Sequence, residues 1–178
     1  MRWPALLLLA AFTGPALANP APPEPDGFRM DDYRAPVPAT VRGAAVLHIA
    51  AMRDLVARGE AVLIDVLPAP RRPEGIRAET PWLPKPHRSL PGSLWWPDVG
   101  RGGLPPSVEA RFRQRLQEIA GNPPRLAVFF CLADCWMSWN AAKRAAAFGF
   151  RAAWFPDGTD GWEAAGLPLE AVEPEWLD

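Results

Sequence analysis

The chain has two cysteines, Cys131 and Cys135, and they are separated by only three residues. They follow the apolar run Leu126–Phe130 and precede a segment with helical periodicity. In an open α/β sheet, ligands bind outside the carboxyl ends of the strands, and the first N–H groups of a following helix can stabilise a thiolate. This placement predicts that function lies in the loop that carries the two thiols.

A candidate site can be assembled around the pair. Its binding loop is predicted to consist of the residues between and just after the cysteines: Leu132, Ala133, Asp134, Trp136, Met137 and Ser138. Two further side chains are candidates for supporting roles, Asp65 at the end of a predicted strand and His87 downstream of it. An acid such as Asp134 disfavours a thiolate at Cys131 if the two approach each other, because like charges repel.

Three interpretations of the thiol pair stay open at this point. As a sulfurtransferase, Cys131 would attack a sulfane sulfur donor and carry a persulfide, with Cys135 idle or resolving that persulfide as a disulfide. As a dithiol redox protein, the pair would cycle between thiols and a disulfide, with Trp136 and Trp139 forming an apolar docking surface. As a structural element, the pair would form a permanent bridge or two inert core thiols.

A metal site is a weaker hypothesis. Ligands for copper or zinc could come from the two thiolates together with Asp134, His87 or Met137. However, two cysteines are half of a structural zinc site, and the chain has only one other histidine, His48, which is expected at the surface of a helix. We therefore expect no metal and no cofactor.

The N-terminus has the features of a secretory signal peptide over residues 1–18. Arg2 precedes an apolar run over 5–12, and residues 16–18 form a small-x-small cleavage pattern. The run is shorter than the roughly 20 residues that span a bilayer. We expect export to the periplasm, no membrane association after cleavage, and an oxidising compartment in which a disulfide is permitted.

Composition predicts a single globular domain behind a short leader. Residues 19–39 are proline-rich and should form an extended leader without chemistry, and residues 40–178 should form the domain. Hydrophobic residues make up 49% of the chain, which favours a packed core, and most of the tryptophans are expected in it. The net charge of −1, with no basic block, argues against a nucleic-acid partner.

Hydrophobic periodicity predicts strands and helices in alternation, which is typical of a parallel sheet covered by helices. We expect the following order: a helix over 41–58, a strand over 61–65, an irregular excursion over 68–105 with one short strand, a helix capped by Ser107 and ending before Gly121, a strand over 126–130, a helix over 140–148, a strand over 152–155 and a turn over 157–162.

Over roughly residues 41–169 the chain resembles the rhodanese-like domain family. Three stretches carry the resemblance in the family's order: AVLIDV at 61–66, HRSLPGS at 87–93 and GTDGWEAAGLP at 158–168. Cys131 falls where that family keeps its catalytic cysteine. The resemblance implies a rhodanese-like α/β fold, a parallel sheet flanked by helices in one domain, with sulfur chemistry at Cys131.

Within that family, three stretches are similar to a subgroup of exported proteins named for a CXXCW motif and associated with PQQ-dependent alcohol catabolism: GFRMDDYRAPVP at 27–38, CLADCWMSWNAAKRA at 131–145 and PDGTDGW at 156–162. The resemblance implies a periplasmic PQQ-dependent dehydrogenase, or another thiol or sulfur acceptor, as partner. It leaves a second role open, a non-catalytic binding or accessory module with the cysteines as a structural disulfide.

The cysteine region also departs from active relatives. Sulfurtransferases of this fold usually place an arginine and a glycine after the cysteine, whereas this chain has Leu132, Ala133 and Asp134. Efficient turnover of thiosulfate is therefore not expected. Phosphatase relatives need an arginine near the position of Met137, so phosphatase activity is not expected either.

Overall fold

The computed structural model describes residues 21–77 and 79–178. The predicted signal peptide, residues 1–18, lies outside the described residues. In the part of the chain that is described, no helix has the length and apolar character needed to cross a bilayer.

The described residues form seven strands and four α-helices. The strands are β1 (Ala45–Val46), β2 (Ala61–Asp65), β3 (His87–Ser89), β4 (Leu94–Trp95), β5 (Leu126–Phe130), β6 (Ala152–Trp154) and β7 (Glu170–Val172). The helices are α1 (Ile49–Arg58), α2 (Pro106–Leu116), α3 (Trp136–Ala147) and α4 (Gly158–Ala164), with a π-helical turn at Gln117–Gly121 that continues α2.

Five of the strands form one parallel sheet in the order β1-β6-β5-β2-β4, and β3 pairs with β7 in a small antiparallel ribbon. In the centre, β2 and β5 run in register from Ala61 opposite Leu126 to Asp65 opposite Phe130. The carboxyl ends of these strands therefore lie side by side, with Asp65 next to the strand that leads into Cys131. The predicted fold class, a parallel sheet flanked by helices in one domain, is confirmed.

Two apolar layers enclose the sheet, because successive side chains of a strand point to opposite faces. On β5, Phe129 packs in a layer that includes residues of α2 and α3, and Phe130 packs in a layer that includes residues of α1 and α4. Six tryptophans are buried. Five belong to these layers, Trp96, Trp136, Trp139, Trp154 and Trp162, and the sixth, Trp95, packs against His87. The expectation that most tryptophans belong to the core is confirmed.

Two predicted helix starts are wrong. The first helix begins at Ile49, not near Val41, because the chain turns at Gly43, which has a φ of +81°, and then adds the short strand β1. The helix after the cysteines begins at Trp136 instead of Asn140. Its first N–H group finds a partner in a segment distant in sequence, which no local pattern reveals.

Three smaller expectations also need correction. The excursion over 68–105 holds two short strands, β3 and β4, not one. Ser107 lies inside α2, which begins with Pro106 at its first position, where a missing N–H group costs nothing. The predicted turn over 157–162 is mostly helical, since α4 begins at Gly158.

Candidate functional site

Residues 131–135 form the connection between β5 and α3, here called the cysteine loop. Cys131 is 0% exposed and Cys135 is 3% exposed, and both are free thiols. The two thiols lie close enough for each to shift the pKa of the other. The structure thus brings the predicted pair together at the carboxyl edge of the parallel sheet.

The start of α4 supports the cysteine loop from one side. The N–H group of Thr159 donates to the carbonyl oxygen of Cys131 at 2.8 Å, and the N–H group of Ala133 donates to Asp160 Oδ2 at 3.1 Å. Gly158 has a φ of +58°, and a Cβ atom at this position would lie 2.5 Å from the carbonyl oxygen of Cys131. Only glycine fits both the conformation and the contact.

Asp65 and His87, the predicted supporting residues, lie together in one buried network. The Asp65 carboxylate is fully buried and accepts hydrogen bonds from the N–H group of Leu67 at 2.9 Å and from Ser89 Oγ at 2.6 Å. His87 Nε2 is 2.7 Å from the same carboxylate, and the His87 ring packs against Trp95 at a centroid distance of 4.3 Å. The buried carboxylate of Asp65, with its hydrogen-bond partners, thus lies at the end of β2, next to the cysteine loop.

The two thiols have opposite pKa shifts. The pKa of Cys131 is raised well above 9.0 by its hydrogen bond with Cys135, by burial, and by the negative charges of Cys135 and Asp65. The pKa of Cys135 is lowered to about 7, first by the hydrogen bond from Cys131, then by the N–H groups of Met137 and Ser138 at the start of α3 and by the charge of Arg34. Near neutral pH, the pair therefore consists of a thiol at Cys131 and a partly ionised thiol at Cys135.

Asp134 does not have the effect that the sequence suggested. Its side chain is exposed and its φ is +50°, so it lies on the outer side of the loop. The acid that raises the pKa of Cys131 is Asp65. The negative charge that raises the pKa of Cys131 thus belongs to the neighbouring strand β2, and not to the cysteine loop.

The leader crosses the start of α3 and covers the tryptophans of that helix. Trp136 donates its N–H group to the carbonyl of Tyr33 at 2.9 Å and its Nε1 to that of Pro36 at 3.1 Å, and Trp139 Nε1 donates to Thr40 at 2.8 Å. Both indole rings are buried. The predicted docking surface of Trp136 and Trp139 is therefore wrong, because the leader and Thr40 accept the hydrogen bonds of these indole groups within the chain.

Three buried polar side chains of α3 hold the leader and a neighbouring loop. Asn140 exchanges two hydrogen bonds with the backbone of Arg29, at 2.9 and 2.8 Å, and donates a third to Gly100. Lys143 Nζ donates to the carbonyls of residues 25–27, and Arg144 donates to those of Val99, Arg101 and Gly102. These side chains form the hydrogen bonds that the backbone of the leader would otherwise form with water.

Met137 and Ser138 act through their backbone and their packing. Met137 is buried where Gly100 approaches α3, and Ser138 Oγ donates to the carbonyl of Cys135 at 2.9 Å while accepting from Trp154 Nε1 at 3.0 Å. Both residues fix the first turn of α3, whose N–H groups face the sulfur of Cys135. Met137 and Ser138 were predicted to belong to the binding loop, but they lie behind the thiols and do not contact solvent.

Open clefts lie on both sides of the cysteine loop. One cleft, of about 480 Å³, is lined by Leu132 together with residues that include Lys85, His87, Arg88 and Thr159. The other, of about 600 Å³, is lined by Ala133 and Asp134 together with residues that include His48, Asp157 and Trp154. The middle of the loop therefore faces both clefts, while the two sulfurs lie behind it.

The described residues contain no cluster of three or more His, Cys, Asp or Glu side chains arranged to hold a metal ion.

Two members of the site, Ser89 and Arg34, were not predicted from the sequence. Ser89 follows His87 by two positions and thus shares its side of β3, a signal that the strand period contains. Arg34 lies within the leader stretch that resembles the exported subgroup, which was the available signal.

No known family model and no curated protein matches the chain. Among solved structures, it is similar to a thiosulfate sulfurtransferase from Pseudomonas aeruginosa, with 24% identity and a TM-score of 0.47 over 76% of this chain and 22% of that one. It is also similar to an uncharacterized protein from Saccharomyces cerevisiae (16% identity, TM-score 0.40, 69% and 93% covered) and to a full-length protein from Lactobacillus plantarum (20%, 0.40, 68% and 80%). The chain thus spans about a fifth of the Pseudomonas protein's length.

Proposed function

We propose that this chain is a rhodanese-like domain that performs thiol–disulfide exchange through Cys131 and Cys135. The observation that supports this function is the contact between two free thiols with opposite pKa shifts. An attacking thiol works best with a pKa near the ambient pH, and the pKa of Cys135 is lowered to about 7. A second thiol held against it can then release the bound partner.

The exchange proceeds in two balanced steps. The thiolate of Cys135 attacks one sulfur of a partner disulfide, which forms a mixed disulfide and releases the other partner sulfur as a thiolate. The sulfur of Cys131, after losing its proton to solvent, then attacks the sulfur of Cys135. This step forms the Cys131–Cys135 disulfide and releases the second partner thiolate, so the pair loses two electrons and the partner gains them.

The coupling between the thiols gives the steps their order. While Cys135 is ionised, its charge keeps the proton on Cys131. Once Cys135 is part of a mixed disulfide, this charge is gone and the pKa of Cys131 falls. Cys131 therefore becomes a nucleophile when a resolving thiol is needed. Because both sulfurs are buried, the partner reaches them only when the leader or the cysteine loop shifts.

Sulfane sulfur transfer is the second candidate, and it is supported by the position of Cys131 directly after β5, where the rhodanese-like family keeps its catalytic cysteine. The backbone N–H group of Leu132 also acts to lower the pKa of Cys131. In this reaction Cys131 attacks the outer sulfur of a donor, expels the donor's remaining anion and holds a persulfide. Cys135 then attacks the inner sulfur, which forms the disulfide and releases hydrosulfide.

On the basis of the resemblance of the leader and the cysteine loop to the exported subgroup, we extend the proposal to the location and the partner of the protein. The protein would be exported to the periplasm, where it would act on a PQQ-dependent dehydrogenase or on another thiol or sulfur acceptor. In the competing role, a non-catalytic accessory module for such a dehydrogenase, the cysteines would form a structural disulfide.

Intact-mass spectrometry of protein purified without reductant, with thiol alkylation, tests the proposal. Reduced protein exposed to oxidised glutathione should form the internal disulfide, C131S should stop at a glutathione adduct on Cys135, and C135S should form far less adduct. Gain of one sulfur from thiosulfate at Cys131, removed by cyanide, would instead establish sulfane transfer. A disulfide that resists mild reduction, with an equal loss of melting temperature in both serine variants, would establish the structural role.

A further inference from the structure

The leader is fixed at the point where it passes the cysteine pair. Both N–H groups of Trp136 donate to leader carbonyls, the backbone group to Tyr33 and Nε1 to Pro36. Trp136 directly follows Cys135 in the sequence. These two hydrogen bonds, which involve no charged group, therefore hold the segment that contains Arg34 beside Cys135.

Arg34 differs from the other arginines of this region in the use of its charge. The guanidinium of Arg29 is 3.2 Å from Asp32, and that of Arg42 is 3.2 Å from Asp26. Arg34 is exposed and, among the described residues, forms no salt bridge with a carboxylate. Its positive charge is thus available to the neighbouring sulfur.

The cysteine loop cannot supply that charge itself, since residues 131–138 contain no lysine or arginine. Besides Arg34 on the leader, the charged or titratable groups near the pair are Asp65 with its partner His87, and Asp134 and Asp160 on the outer side of the loop. Among these groups, Arg34 is the one whose charge lowers the pKa of Cys135. A cation that assists the thiolate therefore has to come from outside the loop.

We propose that the leader is a component of the active site and that Arg34 is a positioning residue, which stabilises the thiolate of Cys135 in place of the arginine that the loop lacks. This inference rests on the proposed exchange reaction. The charge of Arg34 adds to the larger effect of the Cys131 hydrogen bond in lowering the pKa of Cys135. The leader would then tune the reactivity of the pair through its position, since the cation lies near the sulfur only while the segment is clamped to Trp136.

The test is the rate of iodoacetamide alkylation of Cys135 between pH 5 and 9, followed by peptide mass spectrometry in the full chain. Arg34→Gln should move the midpoint to higher pH and slow alkylation about threefold at pH 6.5, an effect typical of one charge near a protein surface. Arg34→Lys should restore most of the rate because it restores the charge. Arg42→Gln removes a cation that is paired with Asp26 of the leader, so it should leave the profile unchanged.

The outcomes separate this inference from the exchange reaction. If Arg34→Gln keeps the wild-type profile, or if Arg34→Lys fails to restore it, the assignment of Arg34 is overturned while exchange stands. If the wild-type protein performs no exchange but Arg34→Gln still shifts the alkylation midpoint, the proposed function is overturned and the positioning role of Arg34 is supported.

Discussion

The two sides of the cysteine pair have opposite electrostatic character. On the sheet side, the buried carboxylate of Asp65 faces Cys131 and raises its pKa. On the leader side, the first N–H groups of α3 and the cation of Arg34 face Cys135 and lower its pKa. Two chemically identical thiols in one short loop thus acquire different roles from segments that are distant in sequence.

The two sides are also built differently. Asp65 is placed by the register of β2 with β5, so its position follows from the core of the sheet. Arg34 is placed by hydrogen bonds between a coil segment and buried polar groups of α3. Hydrogen bonds of this kind contribute about 1 kcal/mol each, less than the burial of a sheet core, so the leader side is the easier one to displace.

The largest effect should come from breaking the sheet side. Asp65→Ala leaves His87, Ser89 and the N–H group of Leu67 without their buried partner, so the free energy of unfolding should fall by about 4 kcal/mol. Asp134→Asn, which changes an exposed acid, should change it by less than about 0.5 kcal/mol. Urea denaturation measures both.

The charge effect of Asp65 can be isolated with Asp65→Asn. This variant keeps most of the shape, and loss of the charge should lower the pKa of Cys131. Alkylation of Cys131 should then begin at lower pH than in the wild-type protein, whereas Asp134→Asn should leave it unchanged. An equal shift in both variants would show that the loop acid matters after all.

The next effect concerns the backbone that supports the cysteine loop. Gly158→Ala adds a Cβ atom 2.5 Å from the carbonyl of Cys131 at a φ of +58°, so crowding adds to backbone strain and stability should fall by about 3 kcal/mol. Gly149→Ala at a φ of +88° meets nothing within 4 Å and should cost only the strain, about 1 kcal/mol. Thermal and urea unfolding would contradict the role of this contact if the two variants were equal.

Breaking the leader side should have a smaller effect on stability and a clear effect on access. Asn140→Ala removes both hydrogen bonds to the backbone of Arg29 and one to Gly100, so we expect a loss of about 2 kcal/mol. Limited proteolysis should cut the leader faster. At pH 9, where Cys135 is ionised whether or not Arg34 is nearby, alkylation of Cys135 should accelerate as its cover opens. Gln114→Ala, which removes an exposed hydrogen bond to Glu118 on α2, is the matched control and should leave both rates unchanged.

Sequence patterns predicted the scaffold of the site better than its electrostatics. The buried runs that became β2 and β5 were identifiable because strands of a parallel sheet are apolar on both faces. The ends of these runs placed Asp65 and Cys131 at the same edge of the predicted sheet. The thiol pair was recognisable from its spacing. The sequence favoured Cys131 as the nucleophile and Cys135 as the resolving thiol, whereas the proposed exchange begins at Cys135, and the alkylation and mass experiments decide between the two orders.

The leader side was not predictable, for a physical reason. The burial of Asn140, Lys143 and Arg144 cannot be predicted from helical periodicity, since it requires polar partners that periodicity does not reveal. Their partners are backbone carbonyls of segments about 40 to 118 positions away, which no residue type marks. For the same reason, one interpretation of the sequence placed Trp136 and Trp139 in a docking surface, and the leader was expected to carry no chemistry.

The smallest effect distinguishes the contribution of the second thiol from that of the surroundings. Cys131→Ala removes the hydrogen-bond donor that has the largest effect on Cys135, so the pKa of Cys135 should rise from about 7 towards 9.0. Cys131→Ser keeps a hydroxyl donor in the same place and should retain most of the lowered pKa. Both variants remove one sulfur from the same buried position, so their cavities and stabilities should be similar. Alkylation of Cys135 at pH 7 should therefore be slower in the alanine variant than in the serine variant. Equal rates would mean that the N–H groups of α3 and Arg34 are sufficient to ionise Cys135, and that Cys131 serves only to resolve the mixed disulfide.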